Sequence, residues 1–189
     1  MDYIKDRDKI LALLKENLSE EKYIHSLATE KRAIKMAEIF GEDTKKAGFA
    51  GLIHDITKCM DDVALAAEYG IKKYSSKKTL HQTTGAIYIK KHGICDDEDI
   101  INAVLTHTTG IDGMTKLQKI IYLADATEEN RRYPEAAALR EMAEKDLDRA
   151  MLMSLTKTIE LLKKRNLSID ENTLLAYNDI KKLTEEGAN

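Results

Sequence analysis

Proline is almost missing from this sequence: Pro134 is the only one among 189 residues, and glycine occurs nine times. The two residues that most disfavour a helix interior are therefore scarce. Ala, Leu, Lys and Glu, which lose least on entering a helix, recur throughout, so the composition points to an all-α chain. Cysteine is equally sparse. Cys59 and Cys95 form neither a disulfide framework nor a zinc-binding pair, and they read as free, buried thiols that suit a reducing cytoplasm. A charge excess of either sign is missing too. The formal net charge of -3 excludes a broad basic field that would wrap a duplex through counterion release, so no nucleic-acid partner is expected. Any anionic ligand has to be held locally. No apolar run approaches the roughly 18 residues of a spanning helix. The start, Met1-Asp2-Tyr3-Ile4-Lys5-Asp6, mixes acid and base with no apolar stretch behind it. Neither a signal peptide nor a membrane partner is expected.

What is present suffices for a packed interior, with 43% hydrophobic and 33% charged residues. The length fits a single domain, 1–189, with a core over about 19–177 and the terminal helices packed on it. Polar caps precede apolar periodic runs, glycines often follow them, and about eight helical segments are expected. The first runs from Asp2 to Leu18 with Ile4, Ile10, Leu11, Leu14 and Leu18 at helical spacing. Ser19 caps the second, which Gly41 ends; Asp43 opens the third through Ile53, and Asp61 opens a short fourth ending at Gly70. The fifth spans about His81 to His92, the sixth Asp97 to His107, and the seventh starts at Thr115 and runs to about Glu129. Helices from Pro134, from Asp146 to about Arg165 and from Asp170 to Glu186 complete the chain. No repeat or sustained strand alternation is present.

The histidines are His25, His54, His81, His92 and His107, and all but one sit at or near the ends of expected helices. Imidazoles and carboxylates drawn from several helices are how bundle cores build metal sites. The sharpest local signal is His54-Asp55, which closes the apolar run from Ala47 to Ile53. Adjacent helical residues point about 100° apart, so both reach one cation only if it lies near the helix end. Imidazole and carboxylate without thiolate suit a borderline divalent metal such as iron, manganese, cobalt or zinc. Such a metal lowers the pKa of bound water and offsets phosphate charge. Asp125 follows an apolar run, where an unpaired carboxylate is costly unless neutralised. His92, beside Gly93, suits a helix C-terminus and is assigned no function. His81 and His107 have structural alternatives, as a helix N-cap and as a partner of a helix C-terminus. Met142, Met151 and Met153 read as core filler.

Taken together, His25, His54-Asp55 and Asp125 resemble the H…HD…D signature of the HD superfamily. Within it the sequence is similar to bacterial symmetrical diadenosine tetraphosphate hydrolases of the YqeK type. The resemblance covers roughly Lys22 to Tyr177. Its more specific pieces are Ala50-Gly51-Leu52-Ile53-His54-Asp55-Ile56-Thr57-Lys58, Leu80-His81, His107-Thr108-Thr109-Gly110 and Lys119-Ile120-Ile121-Tyr122-Leu123-Ala124-Asp125. Two stretches depart from it: Leu80-His81-Gln82-Thr83-Thr84-Gly85 differs from the family's His-Gly-Pro, and Thr127-Glu128-Glu129-Asn130-Arg131 replaces a commoner Ile-Glu-Pro-Asn-Arg.

The resemblance implies an HD-type helical bundle with a metal site in its core, and a homodimer. It implies that His25, His54, Asp55 and Asp125 ligate one or two divalent transition metals, iron foremost. His81 and His107 would face a second metal or the phosphates. Lys22, Lys58, His81, His107, Thr108 and Arg131 would contact a nucleoside polyphosphate, with Asp55, Lys58, His81 and His107 in the catalytic set. The implied reaction is attack of metal-activated hydroxide on an inner phosphorus of diadenosine tetraphosphate to give two ADP, with His107 as a possible proton donor. Two alternatives stand beside it: an HD-type phosphatase or phosphodiesterase acting on another nucleotide, and a non-catalytic metal- and nucleotide-binding regulator.

Overall fold

The structure, a computed structural model, describes residues 7–186, so the expectation placed on Asp2 to Asp6, including Ile4, lies outside the described residues. These form α1 (Arg7–Asn17), α2 (Glu20–Phe40), α3 (Thr44–Ile53), α4 (Asp62–Glu68), α5 (Lys77–Lys91), α6 (Glu98–Thr106), α7 (Lys116–Thr127), α8 (Ala136–Ala143), α9 (Leu147–Lys164) and α10 (Glu171–Glu186), with no strand among them. The ten helices correspond to the ten segments read individually from the sequence, two more than the rough count of about eight. No helix among the described residues is long and apolar enough to cross a membrane.

The helix starts follow from local chemistry. Asp43 accepts from the backbone N–H of Lys45 at 2.8 Å and of Lys46 at 3.0 Å, and Asp61 and Asp97 do the same for α4 and α6. Thr115 and Gln118 complete a reciprocal capping box at α7. Gly41, with φ +64°, closes α2 in the left-handed region that glycine enters without strain. One start differs from expectation. Ser76 accepts from Lys78 N at 3.1 Å, so α5 begins at Lys77 and His81 lies inside the helix, not at its N-cap. The seventh helix stops at Thr127, short of Glu129, and the helix expected from Pro134 begins at Ala136. Cys95 is buried as expected, but Cys59 is exposed, because it lies in the turn beyond the last apolar contact of α3.

The α7 helix runs through the middle of the molecule, burying Ile120, Ile121, Leu123 and Ala124. It packs against α2, α3, α6, α8 and α9. Met151 and Leu155 of α9 and Ala176 and Ile180 of α10 close the far side. Met142 and Met153 pack against the same core. The α2 and α3 helices approach most closely at Gly51. A Cβ there would lie 3.0 Å from Thr29 O, 3.1 Å from Ala33 Cβ and 3.2 Å from Glu30 Cα, so only hydrogen fits between the two backbones. This close approach sets the end of α3, with His54, beside the first turns of α2, with His25. Gly51→Ala is therefore expected to cost about 1–3 kcal/mol by overpacking. It should lower Tm by about 2–4 °C per kcal/mol in a thermal melt. Gly48→Ala, whose Cβ meets side-chain atoms of Ile34 and Glu30 and no backbone, should cost less.

Candidate metal centre

Five helices bring their ends to one point. His25 stands in the second turn of α2, His54 caps the C-terminus of α3 and Asp55 follows it. His81 lies in α5, His107 caps the C-terminus of α6, and Asp125 occupies the last turn of α7. His54 is fully buried, Asp55, His81 and His107 are 2–3% exposed, and His25 is 7% exposed. Every metal-ligand and phosphate-contact residue expected from the sequence reaches this cluster.

The ligand atoms divide into two neighbouring sets. In the first, His25 Nε2 lies 3.2 Å from His54 Nε2 and 3.0 Å from Asp125 Oδ1, and His54 Nε2 lies 3.7 Å from Asp55 Oδ2. In the second, His81 Nε2 lies 3.2 Å from His107 Nε2 and 3.3 Å from Asp55 Oδ1, while His107 Nε2 lies 3.5 Å from that same oxygen. The carboxylate of Asp55 thus faces one set with each oxygen. Three overlapping groups could each hold a metal ion: His25, His54 and Asp55; His54, His107 and Asp125; and Asp55, His81 and His107.

The proton positions follow from the partners behind each ring. His54 Nδ1 lies 2.7 Å from Gly51 O and His107 Nδ1 lies 2.7 Å from Val104 O; a carbonyl only accepts, so each Nδ1 carries the proton. His25 Nδ1 faces the Glu128 carboxylate at 3.3 Å, with the same consequence. His54 then presents a bare Nε2 lone pair, and His25 Nε2 faces it at 3.2 Å beside the Asp125 carboxylate at 3.0 Å. These nitrogen and oxygen atoms converge on one point, and a carboxylate or carbonyl behind a ligating histidine is the usual support of a metal site. The donor chemistry fits a divalent ion.

The electrostatics agree. Burial lowers the His54 pKa to about 4, against the pull of Asp55 and Asp125, so the ring is neutral at pH 7 and a metal displaces no proton from it. Burial alone would raise Asp55, but His54 and the close approach of His107 and His81 outweigh it and hold the carboxyl well below its usual range. Asp125 is held low in the same way, by His25, His54 and Arg131 against burial. His81 is lowered by burial, which outweighs its hydrogen bond to Asp55.

Cations ring the carboxylates. Lys22 Nζ lies 3.5 Å from Asp55 Oδ2 and Lys58 Nζ lies 3.8 Å from Asp55 Oδ1. Lys58 also donates to His81 Nε2 at 2.8 Å, and burial lowers its pKa against the attraction of Asp55. Arg131 pairs with the Asp125 carboxylate and donates through Nε to Asp125 O at 2.8 Å. The hydroxyl of Thr108 stands 3.1 Å from His81 Nε2. His92 is apart from all of this, stacked on Tyr88 with ring centroids 4.1 Å apart.

Two contributors were not assigned a role from the sequence. Glu128, 2% exposed, orients His25 and accepts from Asn130 N at 2.6 Å. Its spacing of three residues from Asp125, across a helix end, is the one sequence signal that could have marked it. Gln82 accepts from Thr108 N at 3.1 Å and Thr109 N at 3.2 Å, which fixes the turn after His107. Nothing local in the sequence marks that contact.

Comparison with known proteins places these features. The HD domain profile matches residues 23–130. A symmetrical bis(5'-nucleosyl)-tetraphosphatase of Bacillus subtilis is 35% identical over 179 residues, covering 92% of this chain and 96% of that protein. One of the same description from Halalkalibacterium halodurans is 36% identical over 182 residues, covering 93% and 97%. A crystal structure from Clostridium acetobutylicum, described as a predicted HD superfamily hydrolase involved in NAD metabolism, superposes with a TM-score of 0.89 at 37% identity, covering 93% of this chain and 97% of that one.

Proposed function

The chain belongs to the HD domain family, and from that membership we propose that it is a metal-dependent phosphohydrolase that cuts diadenosine tetraphosphate symmetrically into two ADP. The observation that carries the reading is the convergence of the inward-facing Nε2 atoms of His25 and His54 beside a carboxylate whose two oxygens face two ligand sets. Relatives of nearly the same length that are named for this activity support the choice of substrate.

In this reading His25, His54, Asp55 and Asp125 hold one divalent ion, and Asp55, His81 and His107 hold a second. We propose iron as the ion, from the family resemblance; four imidazoles and two carboxylates without thiolate suit manganese, cobalt and zinc as well. Bound there, such ions supply hydroxide at neutral pH and polarise phosphate oxygens. The remaining work falls to the protein. Lys22, Lys58 and Arg131 hold phosphate oxygens by charge-assisted hydrogen bonds, and Thr108 adds a hydroxyl beside His81. The burial of His54, Asp55, His81 and His107 excludes bulk water, which strengthens each of these contacts. The leaving group is a nucleoside diphosphate, a stabilised anion that needs little proton donation. With Nδ1 turned to Val104 O, His107 presents Nε2 to the cluster, where it is suited to ligate an ion.

Hydrolysis in oxygen-18 water tests the reading. ADP alone should form, with one label in one of each two ADP molecules. Early AMP plus ATP would show asymmetric cleavage, and phosphate released from mononucleotides with diadenosine tetraphosphate left intact would make the protein a phosphatase. The cations are tested separately. Lys58→Ala and Arg131→Ala should each retain the metal while lowering kcat/KM about 10–100-fold, the equivalent of about 1.5–3 kcal/mol for a charged hydrogen bond. Unchanged steady-state kinetics in both variants would return them to a structural role.

A further inference from the structure

Between Glu68 and Asp96 the chain has no acidic residue, yet it carries Lys72, Lys73, Lys77, Lys78, Lys90 and Lys91. Lys90 and Lys91 are balanced by Glu98 and Glu68. The other four lysines are exposed, and none forms an ion pair with another described residue. They differ in this from many lysines elsewhere on the molecule. Lys31, Lys35, Lys46, Lys119 and Lys157 each hold a carboxylate. Clustered cations without counter-charges repel one another and make a local positive field in a protein whose net charge is negative.

The position of two of them relates that field to the metal centre. Lys77 and Lys78 lie in the first turn of α5, four and three residues before His81. Residues so spaced are neighbours on one side of a helix, separated by one turn of about 5.4 Å. His81 Nε2 is 3.3 Å from Asp55 Oδ1 and 2.8 Å from Lys58 Nζ. Cations therefore continue outward from Lys58, inside the cluster, to Lys77 and Lys78 one helical turn farther out. A single phosphate held at the cluster does not need the outer pair. A polyphosphate chain that leaves the cluster past His81 meets it.

We propose that Lys77 and Lys78 form an outer phosphate subsite that grips the part of a polyphosphate chain lying beyond the attacked phosphorus. The assignment rests on reading the cluster as a polyphosphate hydrolase, and it gives the chain a means of selecting long polyphosphates over monophosphates. Lys72 and Lys73 add to the same field without a contact being required of them.

The test compares the double variant Lys77→Ser/Lys78→Ser with a charge-matched control, Lys45→Ser/Lys116→Ser. The control lysines sit in the first turns of α3 and α7, at the opposite ends of those helices from His54 and Asp125. Inorganic tripolyphosphate, a probe with no nucleobase, is titrated into each metal-loaded protein by calorimetry, with metal content verified afterwards. The outer-subsite variant should bind at least about tenfold more weakly, as expected for two lost charge-assisted contacts. Its slope of log Kd against log salt should fall by about one for each lysine removed. With diadenosine tetraphosphate, its KM should rise while kcat and metal content stay at wild-type values. Equal tripolyphosphate affinity in the variant and the wild type, or an equal loss in the control, would overturn the subsite. Failure of the wild type to cleave diadenosine tetraphosphate would overturn the proposed substrate instead, and the tripolyphosphate contrast would still decide the lysines.

Discussion

Asp55→Ala is expected to strip metal from both halves of the centre and to lower turnover at least about a thousandfold, equivalent to about 4 kcal/mol in the barrier. Asp55 faces both ligand sets with its two oxygens: Oδ2 lies 3.7 Å from His54 Nε2, while Oδ1 lies 3.3 Å from His81 Nε2 and 3.5 Å from His107 Nε2. Removing it also leaves Lys22 and Lys58 without the carboxylate that each approaches. The comparison that gives the result its meaning is Asp125→Ala, which takes an oxygen from the first set alone. Elemental analysis of the two purified variants should show the larger loss for Asp55→Ala. Circular dichroism should show unchanged helix content, because the helices are capped and packed by other residues. Full metal occupancy with turnover within tenfold of wild type would remove Asp55 from the ligand set.

Chelation is expected to have the second large effect, on stability as well as activity. Without an ion, the Nε2 atoms of His25 and His54 face each other at 3.2 Å, and those of His81 and His107 approach as closely. An ion that binds only the folded chain stabilises it by mass action. At free metal about 1,000 times Kd the gain is about 4 kcal/mol. For a chain of this length, that corresponds to a Tm about 8–16 °C higher. Dialysis against a chelator should therefore abolish turnover and lower Tm by that order, and a divalent transition metal should restore both. An apoprotein that melts with the holoprotein would show that the cluster holds no ion tightly.

The helices were legible in the sequence because what starts and stops them acts within a few residues. Asp43, Asp61, Asp97 and Thr115 bond backbone N–H groups two or three positions ahead, and Gly41 ends α2 by its own backbone freedom. The start of α5 was misplaced because Ser76, in a polar stretch with no apolar periodicity before it, gave a weaker signal than His81. The exposure of Cys59 could not be read locally either, since it depends on where the chain turns after α3.

By itself the sequence determined the all-α chain, the helix ends that carry His54 and His107, and the ligand types gathered in His25, His54-Asp55 and Asp125. Only the tertiary structure decided how those groups face one another. Glu128 reaches His25 across 103 residues, Gln82 reaches Thr108 across 26, and His25 meets His54 across 29. Which ring nitrogen is bare, and how the oxygens of Asp55 divide between two sets, depends on these long-range partners. Helix formation is governed by hydrogen bonds between near neighbours, whereas orienting a buried imidazole needs a partner that packing delivers from elsewhere in the chain.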